Sequence, residues 1–129
     1  MSFVSLTSFL FLKLINQVIW FDTTQSKRFF DILTKYSIQT PIYLSGDRHI
    51  AEVSSQEIKP NYWIYDITSS GLTHSYDSLE EEPNQYRISP LLTMLNFGKI
   101  EINWKISELQ AQIINVEGIS QFTQKIPFQ

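Results

Sequence analysis

The last third of the chain constrains its fold most. Ile100 and Ile102 alternate with Lys99, Glu101 and Asn103, which is the two-residue period of a strand with one buried face. Residues 99–104 are therefore predicted as a strand. Residues 109–116 and 121–126 read as two more, and Glu117-Gly118 between them marks a hairpin turn. An antiparallel run of this kind has one apolar face, which must lie on other structure to be stable. The preceding chain supplies that structure. Asp22 with Gln25 three residues on has the form of a capping box, and Phe29, Leu33 and Tyr36 fall at i, i+4 and i+7, so 23–36 is predicted as a helix. Residues 41–45 read as a short strand with Pro41 tolerated at its first position, and 62–68 as a second, rich in aromatic and β-branched residues. Residues 77–84 are acidic, carry Pro83 and are predicted as a surface loop. Helix, strand, strand, long loop and a three-stranded run make an α+β chain with a β-rich second half.

A length of 129 residues gives a single domain with one ordinary core. Hydrophobic residues at 43% exclude a disordered charged tail, and a net charge of −3 supplies no basic face for a nucleic acid, so none is expected as a stable partner. The absence of cysteine excludes disulfides, thiolate zinc sites and thiol nucleophiles. There is no Walker loop, no GxGxxG and no GxSxG.

Residues 1–21 form a distinct apolar segment. Lys13, Asn16 and Gln17 interrupt it, so it is short for a membrane span, and no basic residue precedes its apolar run as a signal peptide requires. Ser2, Ser5, Ser8, Lys13, Asn16 and Gln17 fall mostly on one side of a helix, which allows an amphipathic helix, and the first reading of the segment is a buried or docking element. An export or anchoring signal, and with it secretion or membrane contact, is the second reading of this segment; a disordered start is the third.

Chemistry concentrates in Ser45-Gly46-Asp47-Arg48-His49, directly after a predicted strand, where α/β folds place ligands. Gly46 is expected to let the backbone turn sharply. Asp47 offers carboxylate oxygens and His49 an imidazole nitrogen, both suited to iron, manganese or zinc. Arg48 between them has the planar fork that fits a phosphate oxygen pair. Glu52 can hold a ligand in place from behind. An Asp-x-His turn is, however, more often no site at all: Asp47 can cap the turn, His49 can donate to a carbonyl, and Arg48 can pair with Glu52 in solvent. A second loop, Ser69-Ser70-Gly71-Leu72-Thr73-His74-Ser75, also follows a strand and carries hydroxyls and a histidine that can contact phosphate or orient a metal ligand. Its ordinary reading is a turn whose hydroxyls satisfy local backbone groups.

Ser45-Gly46-Asp47-Arg48-His49-Ile50-Ala51-Glu52 resembles the last metal-binding motif of the alkaline phosphatase D family, metal-dependent phosphatases and phosphodiesterases of the calcineurin-like class. Tyr65-Asp66-Ile67-Thr68-Ser69-Ser70-Gly71-Leu72-Thr73-His74 is similar to the strand and loop that follow in that family. Pro83-Asn84-Gln85-Tyr86-Arg87, the segment 96–104 and the terminal strand pair are similar to its later parts, in order. The resemblance spans about residues 20–129; residues 1–19 match poorly. It implies the C-terminal part of a metallophosphatase β-sandwich-type fold and a metal-dependent phosphoric ester hydrolase. It makes Asp47 and His49 metal ligands, for iron or manganese and often calcium, and puts Arg48 and His74 near the site in catalytic roles. A phosphate ester is the implied substrate.

The family's earlier Asp- and Asn-bearing motifs have no counterpart here. Asp22 and Asp31 are the aspartates ahead of Asp47, and neither lies in a motif resembling them. At least half of the coordination shell is thus missing, and the expectation is a catalytically incomplete portion of such an enzyme. The alternative is a non-catalytic β-rich interaction module, presenting Trp63, Trp104 and the apolar face of residues 1–21 to a partner or to a second copy.

Overall fold

The computed structural model describes residues 3–5, 23–79 and 82–128. It is a mixed helix-and-sheet structure, mostly β, with two small sheets and, among the described residues, one helix. The elements in chain order are β1 (Phe3–Ser5), α1 (Thr23–Lys35), β2 (Ile42–Ser45), β3 (Ala51–Lys59), β4 (Tyr62–Ser69), β5 (Asn96–Asn103), β6 (Glu108–Asn115) and β7 (Ser120–Pro127).

The first sheet has the order β1-β2-β4-β3. β1, β2 and β4 run parallel, with Ile42 opposite Tyr65 and Ser45 opposite Thr68, while β3 pairs antiparallel with β4 through a tight hairpin at Asn61, whose φ is +63°. Two expectations are corrected here. Phe3–Ser5 is a strand rather than part of an amphipathic helix, because it adds its backbone donors and acceptors to the open side of β2. The remainder of the 1–21 reading, with its docking, export and membrane alternatives, lies outside the described residues, as does the Asp22 cap. No described helix is long and apolar enough to cross a membrane. The second correction is β3, which is absent from the sequence-based expectation. Its even positions, Glu52, Ser54 and Gln56, are polar, and its odd positions begin with the small Ala51, so its alternation carries little hydrophobic contrast.

The second sheet, β5-β6-β7, is the predicted antiparallel meander. Gly118 takes φ +80° in the β6–β7 turn, a conformation that suits glycine. β5 begins at Asn96 and ends at Asn103, so Trp104 lies in the following turn and not in the strand. Leu109, Ala111, Ile113 and Ile126 from this sheet and Ile42, Ala51, Val53 and Ile67 from the first share one buried core, closed by Leu92 and Phe128. Each fully buried Leu or Ile contributes about 1.5–3 kcal/mol through area removed from water.

The opposite face of the first sheet carries α1. Phe29, Phe30 and Leu33 pack with Tyr43, Ile58 and Ile64. The helix ends in a Schellman motif: Ile38 N–H donates to the Leu33 carbonyl and Ser37 N–H to that of Thr34, with Ser37 at φ +50°. Tyr36, the third member of the predicted stripe, falls past this stop and stays 66% exposed. Beyond the helix contact, that same face is polar and buried.

Candidate functional site

β2 and β4 are parallel neighbours, so their carboxyl ends lie together and the loops that leave them meet. The Arg48 N–H donates to Ser70 Oγ at 3.1 Å, the Ser70 N–H donates to the Ile50 carbonyl at 3.1 Å, and the Tyr76 N–H donates to the His49 carbonyl at 3.0 Å. These three bonds tie the 46–50 turn to the 70–76 loop. The turn is made without help from glycine: a Cβ added to Gly46 would meet nothing closer than Ser70 Cβ at 3.6 Å, an ordinary contact. The left-handed positions are instead Asp47 (φ +65°) and His49 (φ +53°). Asp and His tolerate this region better than most residues, yet each costs about 1 kcal/mol there. The two candidate ligands are thus the two strained residues of the turn, and such strain persists only where the surrounding structure holds it.

Asp47 is exposed and His49 half-buried. The His49 ring stands edge-on to His74 with centroids 6.1 Å apart, and to Tyr76 at 5.2 Å. Its Nδ1 is buried and has no hydrogen-bond partner. His74 is exposed, with Nδ1 3.1 Å from Thr73 Oγ1. The fold therefore joins the two loops that sequence reasoning picked out separately, and places His49 between His74 and Tyr76.

The donor types fit a hard or borderline cation, with a carboxylate and imidazoles on adjoining loops. The number does not make a complete shell. Among the described residues no three or more His, Asp or Glu side chains gather where one ion could hold them together.

Arg48 is where the structure departs furthest from a solvent-exposed turn. It pairs with Glu52, as one reading expected, but not in solvent: the side chains are 13% and 4% exposed. Its second terminal nitrogen binds the Glu82 carboxylate. Arg87 Nε takes the other Glu52 oxygen, and Arg87 Nη2 takes the Glu82 backbone carbonyl. Asn84 Nδ2 donates to Ser54 Oγ at 2.9 Å and to Glu52 at 3.3 Å. Burial opposes ionisation of Glu52, but Arg48 and Arg87 outweigh it and hold the carboxyl below its ordinary value.

Asp66 on β4 lies on the same face, opposite Tyr43 and Ser54 in the sheet register. It is 8% exposed. Ser45 Oγ donates to its Oδ1 at 2.9 Å and lies 2.7 Å from Thr68 Oγ1. Burial pushes the Asp66 carboxyl up to about 6, with Glu52 adding to the effect and the Ser45 bond and Arg48 opposing it.

Arg87, Glu82, Asn84 and Asp66 are site neighbours that sequence reasoning passed over. Polar residues recur at alternate positions of two adjacent strands, Glu52 and Ser54 on β3 with Asp66 and Thr68 on β4. That pattern is the signal that marks a buried polar sheet face, and it becomes readable once β3 is recognised as a strand.

No protein-family model matches the chain, and no curated protein matches it.

Proposed function

We propose that the 46–49 turn and the 70–76 loop form one wall of a metal-dependent phosphoric ester hydrolase centre of the alkaline phosphatase D kind, a phosphomonoesterase or phosphodiesterase. The observation that carries this reading is the junction of the two loops at the carboxyl ends of adjacent parallel strands, where His49 presents a buried, unpartnered Nδ1 beside His74. The ordered motifs of the sequence support it, and so do two sheets sharing one core, an arrangement compatible with the C-terminal part of a metallophosphatase sandwich. In this reading Asp47 supplies anionic oxygens and His49 a ring nitrogen to the ion; His74 stands at the rim; Arg48 sits behind the turn. Bound iron or manganese, with calcium, would polarise the phosphoryl group and lower the pKa of a water. Asp47 and His49 make half a shell or less, so the proposal assigns the remaining ligands to chain beyond this sequence, and little turnover to this chain alone.

The test is hydrolysis of p-nitrophenyl phosphate and of its bis ester with added manganese, iron or calcium, on the chain and on Asp47→Ala and His49→Ala. The reading expects weak, metal-dependent turnover that both substitutions abolish. Robust hydrolysis that survives both would overturn it.

A second reading, a non-catalytic β-rich interaction module, is favoured by Trp104 at 68% exposure with Ile106, Val116 and Ile119 around the turns of the second sheet. It expects concentration-dependent self-association or dye binding; a clean monomer that binds no hydrophobic dye counts against it.

A further inference from the structure

The ion cluster behind the turn contains an anion site that the chain itself occupies. Two guanidinium groups, Arg48 and Arg87, converge there, and each binds one oxygen of Glu52. Glu52 projects from β3 and its side chain is 4% exposed, so it is a fixed member of the cluster. Beyond its bond to Glu52 each arginine has a second nitrogen, and a guanidinium N–H at so buried a place demands an acceptor of its own. Glu82 fills that requirement. Arg48 binds its carboxylate and Arg87 binds its backbone carbonyl, so both arginines aim their second nitrogen at the same residue. Glu82 differs from Glu52 in kind: it enters from the chain between β4 and β5, in no strand or helix, and its side chain is 23% exposed.

We propose that Arg48, Arg87 and the position taken by the Glu82 carboxylate form a binding site for a phosphate dianion or phosphoryl group, with Glu82 as its internal, displaceable occupant. With one nitrogen of each arginine held by Glu52, the second nitrogens, Arg48 Nη2 and Arg87 Nη2, together offer charge-assisted N–H donors to two oxygens of one tetrahedral oxyanion, which suits phosphate at the place where a carboxylate now sits. Arg48 is the chain neighbour of both Asp47 and His49, and its side chain reaches from the turn to the Glu52 and Glu82 carboxylates behind it. This rests on the phosphoric ester reading for the identity of the anion, but the site is a matter of arginine geometry and needs no metal. Because Glu82 competes for the same donors, phosphate binding to the unaltered chain is weakened by the fraction of molecules in which Glu82 is seated.

The experiment is titration of the chain with inorganic phosphate, without metal, at low ionic strength, followed by ³¹P and amide NMR. Glu82→Gln, which keeps shape and removes charge, is expected to bind phosphate about tenfold more tightly than the unaltered chain. Glu82→Gln combined with Arg87→Gln is expected to lose that gain, and the amides of Arg48 and its neighbours are expected to shift. Glu82→Ala serves as the second variant if Glu82→Gln does not fold. Equal affinity in the unaltered and Glu82-substituted chains, or a gain that survives loss of Arg87, would refute the site. Phosphate binding that follows this pattern in a chain with no hydrolysis under any metal would sink the hydrolase reading and leave the anion site standing. Metal-dependent hydrolysis with no gain in Glu82→Gln would do the reverse.

Discussion

Asp66→Asn isolates the most perturbed carboxyl of the buried polar face. Asp66 takes up its proton near pH 6 in the fold and at its ordinary value of 3.8 when unfolded. Between those values the folded state binds more protons, so stability grows as pH falls and is lost as pH rises through about 6. Burying the ionised carboxylate thus costs stability at neutral pH, and protonation on the way from pH 7 to pH 5 relieves a cost on the order of 1 kcal/mol. Glu52 works in the opposite sense: its carboxyl is held low by Arg48 and Arg87, so its contribution is present above its ordinary 4.5 and is lost as pH falls below that. The net expectation is a melting temperature that rises by a few degrees (on the order of ΔΔG/ΔS for a domain of this size) from pH 7 to pH 5 and falls again in stronger acid. In Asp66→Asn the amide keeps an oxygen for Ser45 Oγ and does not titrate, so the rise between pH 7 and 5 disappears while the acid-side fall remains. Thermal melts by circular dichroism across pH 3–8 decide the matter. A flat profile between pH 7 and 5 in the unaltered chain, or an undiminished rise in Asp66→Asn, would refute the account of this face.

Other perturbations follow from single contacts. Glu52→Gln leaves two arginines short of a buried partner, and urea unfolding should show a loss of about 3–5 kcal/mol; a loss under 1 kcal/mol would mean the cluster is solvated. Gly71→Ala places a Cβ 2.3 Å from Asn96 Nδ2 and 3.1 Å from the Met94 carbonyl, so the melting temperature should drop and the Asn96 amide signal should move; an unchanged melt would show that the Asn96 contact gives way freely. Gly118→Ala meets no atom within 4 Å but must adopt φ +80°, and should cost about 1 kcal/mol from backbone strain alone. Leu109→Ala, at the centre of the shared core, should cost about 2–5 kcal/mol in the same assay.

Much of the architecture was legible in the sequence because its signals are local. The alternation of Ile100 and Ile102, the Gly118 turn, the Phe29 and Leu33 spacing and the aromatic run at 62–68 each specify an element without reference to distant chain. β3 was not legible, because Glu52, Ser54 and Gln56 look solvent-facing until Arg48, Arg87 and Asn84 are known to cover two of them. Phe3–Ser5 was misread for a related reason: three residues gain strand character only from the open side of β2. Within the candidate site the identity of Asp47, Arg48 and His49 was plain, but their backbone was not. The left-handed conformations fall on the two functional residues and spare Gly46, where a glycine-based argument had placed the turn. The partners of Arg48 were half legible: Glu52 sits four residues away, whereas Glu82 and Arg87 arrive through tertiary folding.

The claim on which the functional reading turns is that a cation binds at the 47–49 turn. Manganese(II) added stepwise to the isotopically labelled chain tests it directly, because the ion broadens NMR signals of nuclei near it. The account predicts early broadening at Asp47, His49 and the 72–76 loop, none at Leu109–Ile113 on the far sheet, and loss of the effect in both Asp47→Ala and His49→Ala. Broadening centred on the acidic 77–84 segment instead, or none at millimolar manganese, would contradict it.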